Sequence, residues 1–172
     1  MTASSLPRRL PYPFFWFLTL GIVAADQFSK FWITASLRYG ESIPVFGDWF
    51  HFTLVRNDGM AMGLFQGRNT LLLGLVGLIL LAAVFGARKI PWALREINFL
   101  AALILGGAVG NLIDRIRVGH VIDFIDITII HFRWWTFNIA DSAISIAVVW
   151  ILIRSWSPRF GQLPQVEHHP KN

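Results

Sequence analysis

The sequence predicts a membrane protein, mainly α, with four transmembrane helices and a small extracytoplasmic β element. Three observations predict it. Hydrophobic residues make up 55% of the 172 residues, charged residues 15%, and the mean hydropathy is +0.55. A soluble domain carries about 25% charged residues, so a disordered chain is excluded and an ordinary soluble globule is disfavoured. Fifteen Phe and eight Trp suit contact with lipid and its interface. The apolar residues also fall into four runs, and the length suits one domain.

The first run spans about 11–33 and holds only Asp26 and Lys30 as charges. Arg8 and Arg9 precede it, and Val23-Ala24-Ala25 resembles the small-residue end of a cleavable signal. Apolar residues continue past that point (Phe28, Phe31, Trp32, Ile33), so the expectation is an uncleaved first span. The second run, about 70–87, carries no charge, and the third covers about 97–113. The fourth, about 139–156, reaches spanning length only if Phe137 and Trp156 form its interfacial ends. A buried core helix is the alternative there.

Between the first two runs, residues 43–57 alternate as a strand does, with Phe50, Phe52 and Leu54 on one face and His51, Thr53 and Val55 on the other. Residues 121–132 are rich in β-branched and aromatic types, which also favours strand. Both fall on the same side of the membrane, with Trp49, Trp134 and Trp135 at interfacial positions. The tail from 157 to 172 is expected to be disordered. No internal repeat is visible.

Charge placement gives an orientation. Arg8, Arg9, Arg88, Lys89, Arg95, Arg154, Arg159 and Lys171 fall on one side, against six basic residues spread over the two longer loops. The bias predicts cytoplasmic termini. The net charge of +5 then reflects membrane anchoring, with no nucleic acid as partner.

Of ten acidic residues, only Glu96 and Glu167 fall on the cytoplasmic side of this arrangement. Asp26 is late in the first span, Asp114 ends the third, Asp123 follows it and Asp141 opens the fourth. With four spans, these acids converge on one leaflet whichever way the chain is oriented. About 14 apolar residues precede Asp26, a rise of roughly 21 Å in a hydrocarbon core about 30 Å thick. An acid at that depth is costly and points to a functional site. Asp114 adjoins Arg115 and Asp26 lies one turn from Lys30, so each is expected to be half of an ion pair. Asp123 and Asp141 have no Lys or Arg within three positions and are the better candidates for chemistry.

Cysteine is absent, which excludes disulfides, thiol catalysis and cysteine-ligated metals. No HExxH, Gly-framed serine or phosphate-cradling loop occurs. No metal and no cofactor are expected. Paired carboxylates remain. Two close together cannot easily both ionise, so one takes a proton from water while the other polarises a carbonyl. Transporters also carry intramembrane acids, so spacing alone leaves both readings open.

The motifs are more specific. Residues 26–30 read DQFSK, 106–115 GGAVGNLIDR, 119–124 GHVIDF and 137–144 FNIADSAI. In this order between four apolar runs, they resemble the bacterial lipoprotein signal peptidases, or signal peptidase II, over about residues 14–154. The resemblance implies an intramembrane aspartyl peptidase of the bacterial cytoplasmic (inner) membrane, with its site near the outer leaflet. It would remove the signal peptide of a prolipoprotein on the amino side of a diacylglyceryl-modified cysteine. It also implies Asp123 and Asp141 as the catalytic pair, with Asp26, Lys30, Asn57, Gly59, Asn111, Asp114, Arg115 and Asn138 lining or bracing the site. Lipidated prolipoproteins and membrane lipids would be the partners, and a monomer is expected. One departure is visible. The family's first-loop motif commonly reads Asn-x-Gly-Ala-Ala and an aromatic residue, whereas residues 57–63 read NDGMAMG. Asn57 and Gly59 are kept, while Met60 and Met62 alter the adjoining wall.

A proton-coupled transporter would place acids at the midplane with routes to both faces, which the uncharged second run and one-sided acids disfavour. A non-enzymatic scaffold would not require two unpaired acids at span ends.

Overall fold

The computed structural model describes residues 13–59, 65–86, 94–129, 132–133 and 135–156. Among the described residues, four helices and four strands follow in order: α1 (Pro13–Ser36), β1 (Ser42–Phe46), β2 (Phe50–Asn57), α2 (Asn69–Gly86), α3 (Arg95–Arg117), β3 (Val121–Ile129), β4 (Phe132–Arg133) and α4 (Ile139–Ser155). The chain is therefore mainly helical with a small antiparallel sheet in the order β1-β2-β3-β4.

Each expected apolar run holds a helix, though the bounds shift. α1 continues to Ser36, and α3 runs from Arg95 to Arg117. Among the described residues, α3 alone is both long and apolar enough to cross a membrane by those two criteria. The helix α1 carries Asp26, Gln27 and Lys30, and α2 and α4 are 18 and 17 residues long. Charges match the α3 dipole, with Glu96 in the first turn and Arg115 and Arg117 in the last. Helix α4 starts at an N-cap, where Asn138 Oδ1 accepts from the Asp141 amide at 2.9 Å.

Helix α3 packs between α1 and α4, and its glycines allow this. A Cβ on Gly107 would collide with the Ala140 carbonyl, and one on Gly110 would lie 2.7 Å from Asp26 Oδ2. The backbones of α3 and α4, and the Asp26 carboxylate of α1, therefore approach closer than any side chain would permit. Ile22, Leu100, Leu103, Ala143 and Ala147 fill the core between these three helices. A second cluster of Ile33, Leu37, Leu54, Ile122 and Phe124 joins the end of α1 to the sheet.

Outside the bundle the surface is apolar. Phe17 is 81% exposed, Phe28 72%, Phe85 74% and Ile153 66%, and Leu78, Val84 and Leu152 are also exposed.

The β element is richer than the single alternating stretch expected over 43–57. A turn at 47–49 splits it into β1 and β2. Thr53 and Leu54 are both buried, against the expectation that they face opposite ways. The β2–β3 register shifts between Phe52 and Val55, and such a bulge breaks strict alternation. The expected strand over 121–132 ends at Ile129. Trp49 and Trp135 are exposed. Trp134, Met60, Met62, Arg8, Arg9, Arg88, Lys89 and the tail from 157 lie outside the described residues.

Candidate active site

Where the sheet meets the ends of α1 and α3 and the start of α4, polar side chains converge. Asp123, on β3, is 1% exposed. Its Oδ2 accepts from Asn57 Nδ2 at 2.8 Å, and its Oδ1 from Asn138 Nδ2 at 2.7 Å. Asp141, in the first turn of α4, is partly exposed. Its Oδ1 accepts from Asn111 Nδ2 at 2.7 Å. Three amides thus hold two carboxylates, each donating an uncharged N–H. Burial first, then the neighbouring Asp141 carboxylate, push Asp123 up to about 7. The hydrogen bonds from Asn57 and Asn138, and the charge of Lys30, pull the other way.

One layer further into the bundle, Lys30 sits between two acids. Its Nζ lies 2.8 Å from Asp26 Oδ2 and 2.7 Å from Asp114 Oδ2. All three side chains are at most 2% exposed. Lys30 therefore pairs with Asp26, as the helical spacing predicts. The expected pairing of Asp114 with Arg115 does not form. Adjacent helical residues do not face each other. Asp114 turns to Lys30 and also accepts from the Ile122 amide at 3.2 Å, which ties the end of α3 to the start of β3. Arg115 turns away and donates to the Gly59 carbonyl at 2.7 Å. The Gly59 amide donates to Asn57 Oδ1 at 3.0 Å, so Arg115 acts on Asn57 through this loop.

The two layers are joined. Asn111 Oδ1 accepts from Lys30 Nζ and from Asn138 Nδ2, each at 3.1 Å, while Asn111 Nδ2 holds Asp141. Asp26 Oδ1 accepts from the Ala140 amide at 3.0 Å, next to Asp141 in the chain. Asp26, Lys30, Asn57, Gly59, Asn111, Asp114, Arg115, Asp123, Asn138 and Asp141 therefore share one hydrogen-bonded network. Among the described residues, no buried side-chain nitrogen or oxygen lacks a partner.

Sequence reasoning passed over Gln27. Its Nε2 lies within hydrogen-bond distance of Asp26 Oδ2 (3.2 Å), Asp114 Oδ1 (3.0 Å) and the Gly110 carbonyl (3.1 Å). Its Oε1 accepts from Arg117 at 3.2 Å. An amide beside Asp26 in an apolar run was the available signal. Among the described residues, no group of three or more His, Asp and Glu could hold a metal ion.

A family model described as signal peptidase (SPase) II matches residues 18–157. The chain belongs to the signal peptidase II family. This family member is thus a peptidase. It is 40% identical over 135 residues to a lipoprotein signal peptidase of Moorella thermoacetica, covering 78% of this chain and 87% of the relative. It is 40% identical over 153 residues to one from Nostoc punctiforme, covering 86% and 92%. A solved structure described as a bacterial membrane enzyme, by the in meso method at 2.3 Å, superposes with a TM-score of 0.80. The identity is 29%, over 94% of this chain and 99% of that one. A second, at 1.9 Å, gives 0.77 at 30% identity, over 89% and 99%.

Proposed function

We propose that this peptidase is an intramembrane aspartyl endopeptidase that removes the signal peptide from prolipoproteins. Cleavage falls on the amino side of a diacylglyceryl-modified cysteine, with Asp123 and Asp141 as the catalytic pair. The observation that carries this is their environment. Two neighbouring carboxylates are held by Asn57, Asn138 and Asn111, with Lys30 engaged by Asp26 and Asp114.

The chemistry follows from that arrangement. Like charge and burial favour a pair that shares one proton. The ionised carboxylate takes a proton from a water, whose oxygen bonds to the scissile carbonyl carbon. The protonated carboxyl gives its proton to the carbonyl oxygen. The tetrahedral intermediate then collapses. The C–N bond breaks, the amine leaves with a proton from the first carboxyl, and the second carboxyl recovers its own. No covalent enzyme intermediate and no cofactor enter. Asn138 bonds Asp123 and caps α4 ahead of Asp141, so it fixes one acid relative to the other. The partners are lipidated prolipoproteins and membrane lipid.

Four helices crossing the bacterial inner membrane, with both termini cytoplasmic, complete the reading. The many exposed Phe, Leu, Ile and Val side chains on α1, α2 and α4 support it, since large apolar exposure on this scale marks contact with a membrane or a partner. The short helices α2 and α4 fall within the roughly 17–25 residues that suffice to span. Single cysteines test the orientation in this cysteine-free chain. Ser4→Cys, Ala87→Cys and Gln165→Cys should resist an impermeant thiol reagent in intact cells, and Gly47→Cys should react. The reverse pattern overturns the orientation.

Purified protein tests the activity. It should shorten a lipidated prolipoprotein on a gel and leave the unlipidated form intact. Equal cleavage of both removes the lipid requirement, and cleavage of neither removes the proposal.

A further inference from the structure

The β2 strand carries its bulge where it matters most. Pairing with β3 runs Phe50↔Ile127, His51↔Asp126 and Phe52↔Ile125, then resumes as Val55↔Asp123, Arg56↔Ile122 and Asn57↔Val121. Thr53 and Leu54 therefore stand opposite the single residue Phe124. An extra residue sends every side chain beyond it to the other face of the sheet. In a regular strand Thr53 and Asn57 would share a face. Here they do not. Thr53 lies with Asp126, diagonal to it across the strands. Asn57 lies with Asp123, diagonal to it in the same way, and donates to it at 2.8 Å. Without the bulge, Asn57 would be on the wrong side of the sheet.

A buried polar chain sits at the bulge. The Thr53 hydroxyl donates to Asp126 Oδ2 at 2.5 Å. Ser42 Oγ of β1, paired with Thr53 in the register, lies 2.8 Å from the same hydroxyl oxygen. Thr53 has one hydroxyl proton, so Ser42 is the donor of that second bond. Thr53 is 4% exposed and Asp126 2%. The proposed chemistry uses neither.

We infer that Ser42, Thr53 and Asp126 form a clamp on the β2 bulge, with Thr53 and Asp126 as positioning residues that hold Asn57 on the Asp123 carboxylate. The inference rests on the two-aspartate reading and extends it to the opposite face of the sheet. It crosses three strands, β1, β2 and β3, and couples the hairpin to the acid that the hairpin braces.

The test is steady-state cleavage of a lipidated prolipoprotein in detergent, over a range of pH. The variants are Thr53→Val, Thr53→Ser and Ser42→Ala, with Asp123→Asn beside them. Thr53→Val keeps the branched shape and removes the hydroxyl. Its kcat should fall about tenfold or more, with KM nearly unchanged, since small misplacements of catalytic groups can cost on the order of 10²-fold. The alkaline limb of its profile should move to higher pH, because the Asn57 hydrogen bond favours ionised Asp123. The charged groups acting on Asp123 are unaltered: Lys30 from α1, Arg115 from α3 and Asp141 from α4. Thr53→Ser should restore both kcat and limb. Ser42 is exposed, so Ser42→Ala should fold and move the limb the same way by less.

A Thr53→Val enzyme with wild-type kcat and limb overturns the clamp. So does one that loses only thermal stability. If Thr53→Val does not fold, an unshifted profile in Ser42→Ala overturns it. Activity in Asp123→Asn would instead reject the two-aspartate reading, which separates the two failures.

Discussion

Two pairs of acids sit one layer apart in this bundle, and they are treated in opposite ways. Asp26 and Asp114 have the Lys30 ammonium between them at 2.8 and 2.7 Å. Asp123 and Asp141 have amides. The first pair is compensated: one cation offsets part of the cost of burying two carboxylates, hydrogen bonds from Ala140 and Gln27 satisfy the other oxygen of each, and Ile122 adds one to the Asp114 oxygen that faces Lys30. The second pair receives hydrogen bonds but, among the described residues, no direct cation. Amides orient a carboxylate without fixing its charge. On the proposed reading, the partner, more than depth or residue type, separates a structural acid from a reactive one.

The largest expected effect lies in the uncompensated pair. Asp123→Asn and Asp141→Asn should each lower cleavage by at least ~10²-fold, the scale of a general acid or base, with folding retained. Retained activity in either variant breaks the comparison at once.

Second come the compensated acids. Lys30→Met leaves two buried carboxylates without their cation, and Asp114→Ala leaves the ammonium with one acid fewer. Breaking a buried pair costs about 3–5 kcal/mol, and Lys30→Met should be the more damaging of the two. Folded yield and thermal midpoint are the readouts. A stable but inactive Asp114→Ala would move that residue into the chemistry and blur the distinction.

A third ion pair sets the lower bound. At the far end of α3, Glu96 meets Arg154 at 2.9 Å and the Trp150 indole at 2.7 Å. The two charged side chains are 32% and 40% exposed. Solvent screens such a pair, which is worth about 0–1 kcal/mol. Glu96→Gln should therefore shift the melting midpoint little and leave cleavage unchanged. A large loss of activity would mean that this end of the bundle communicates with the site.

Much of this was legible in the sequence. Four apolar runs located four helices, because hydrophobic periodicity and length report directly on burial or lipid contact. The i,i+4 spacing of Asp26 and Lys30 located one ion pair. The other partner of Lys30 was not legible. Asp114 lies on a different helix, and neighbouring Arg115 was a false lead, since adjacent residues point apart. Alternation reads the hairpin as one strand because a three-residue turn and a one-residue bulge leave almost no mark on it. Two adjacent buried residues, Thr53 and Leu54, are the trace, and burial is not visible in sequence. Gln27 escaped because an amide beside an acid carries no charge signature. The three asparagines were named from family resemblance, since nothing in their spacing says that they meet.

The proton that Asp123 and Asp141 are proposed to share offers the most direct test. Below both apparent pKa values neither carboxyl can act as base, and above both neither can act as acid. In the proposed mechanism activity belongs to the singly protonated pair, and the values belong to the pair and not to either residue. Because burial and the Asp141 charge hold Asp123 near 7, activity should persist to neutral pH and fall as pH rises beyond it. The measurement is kcat/KM for a lipidated prolipoprotein against pH, in detergent or nanodiscs, with folding checked at each point. A bell whose alkaline limb lies well above the ordinary aspartate value of about 3.9 is the predicted result. A profile that rises and then stays flat far into alkaline pH would contradict a shared proton and point to a single base.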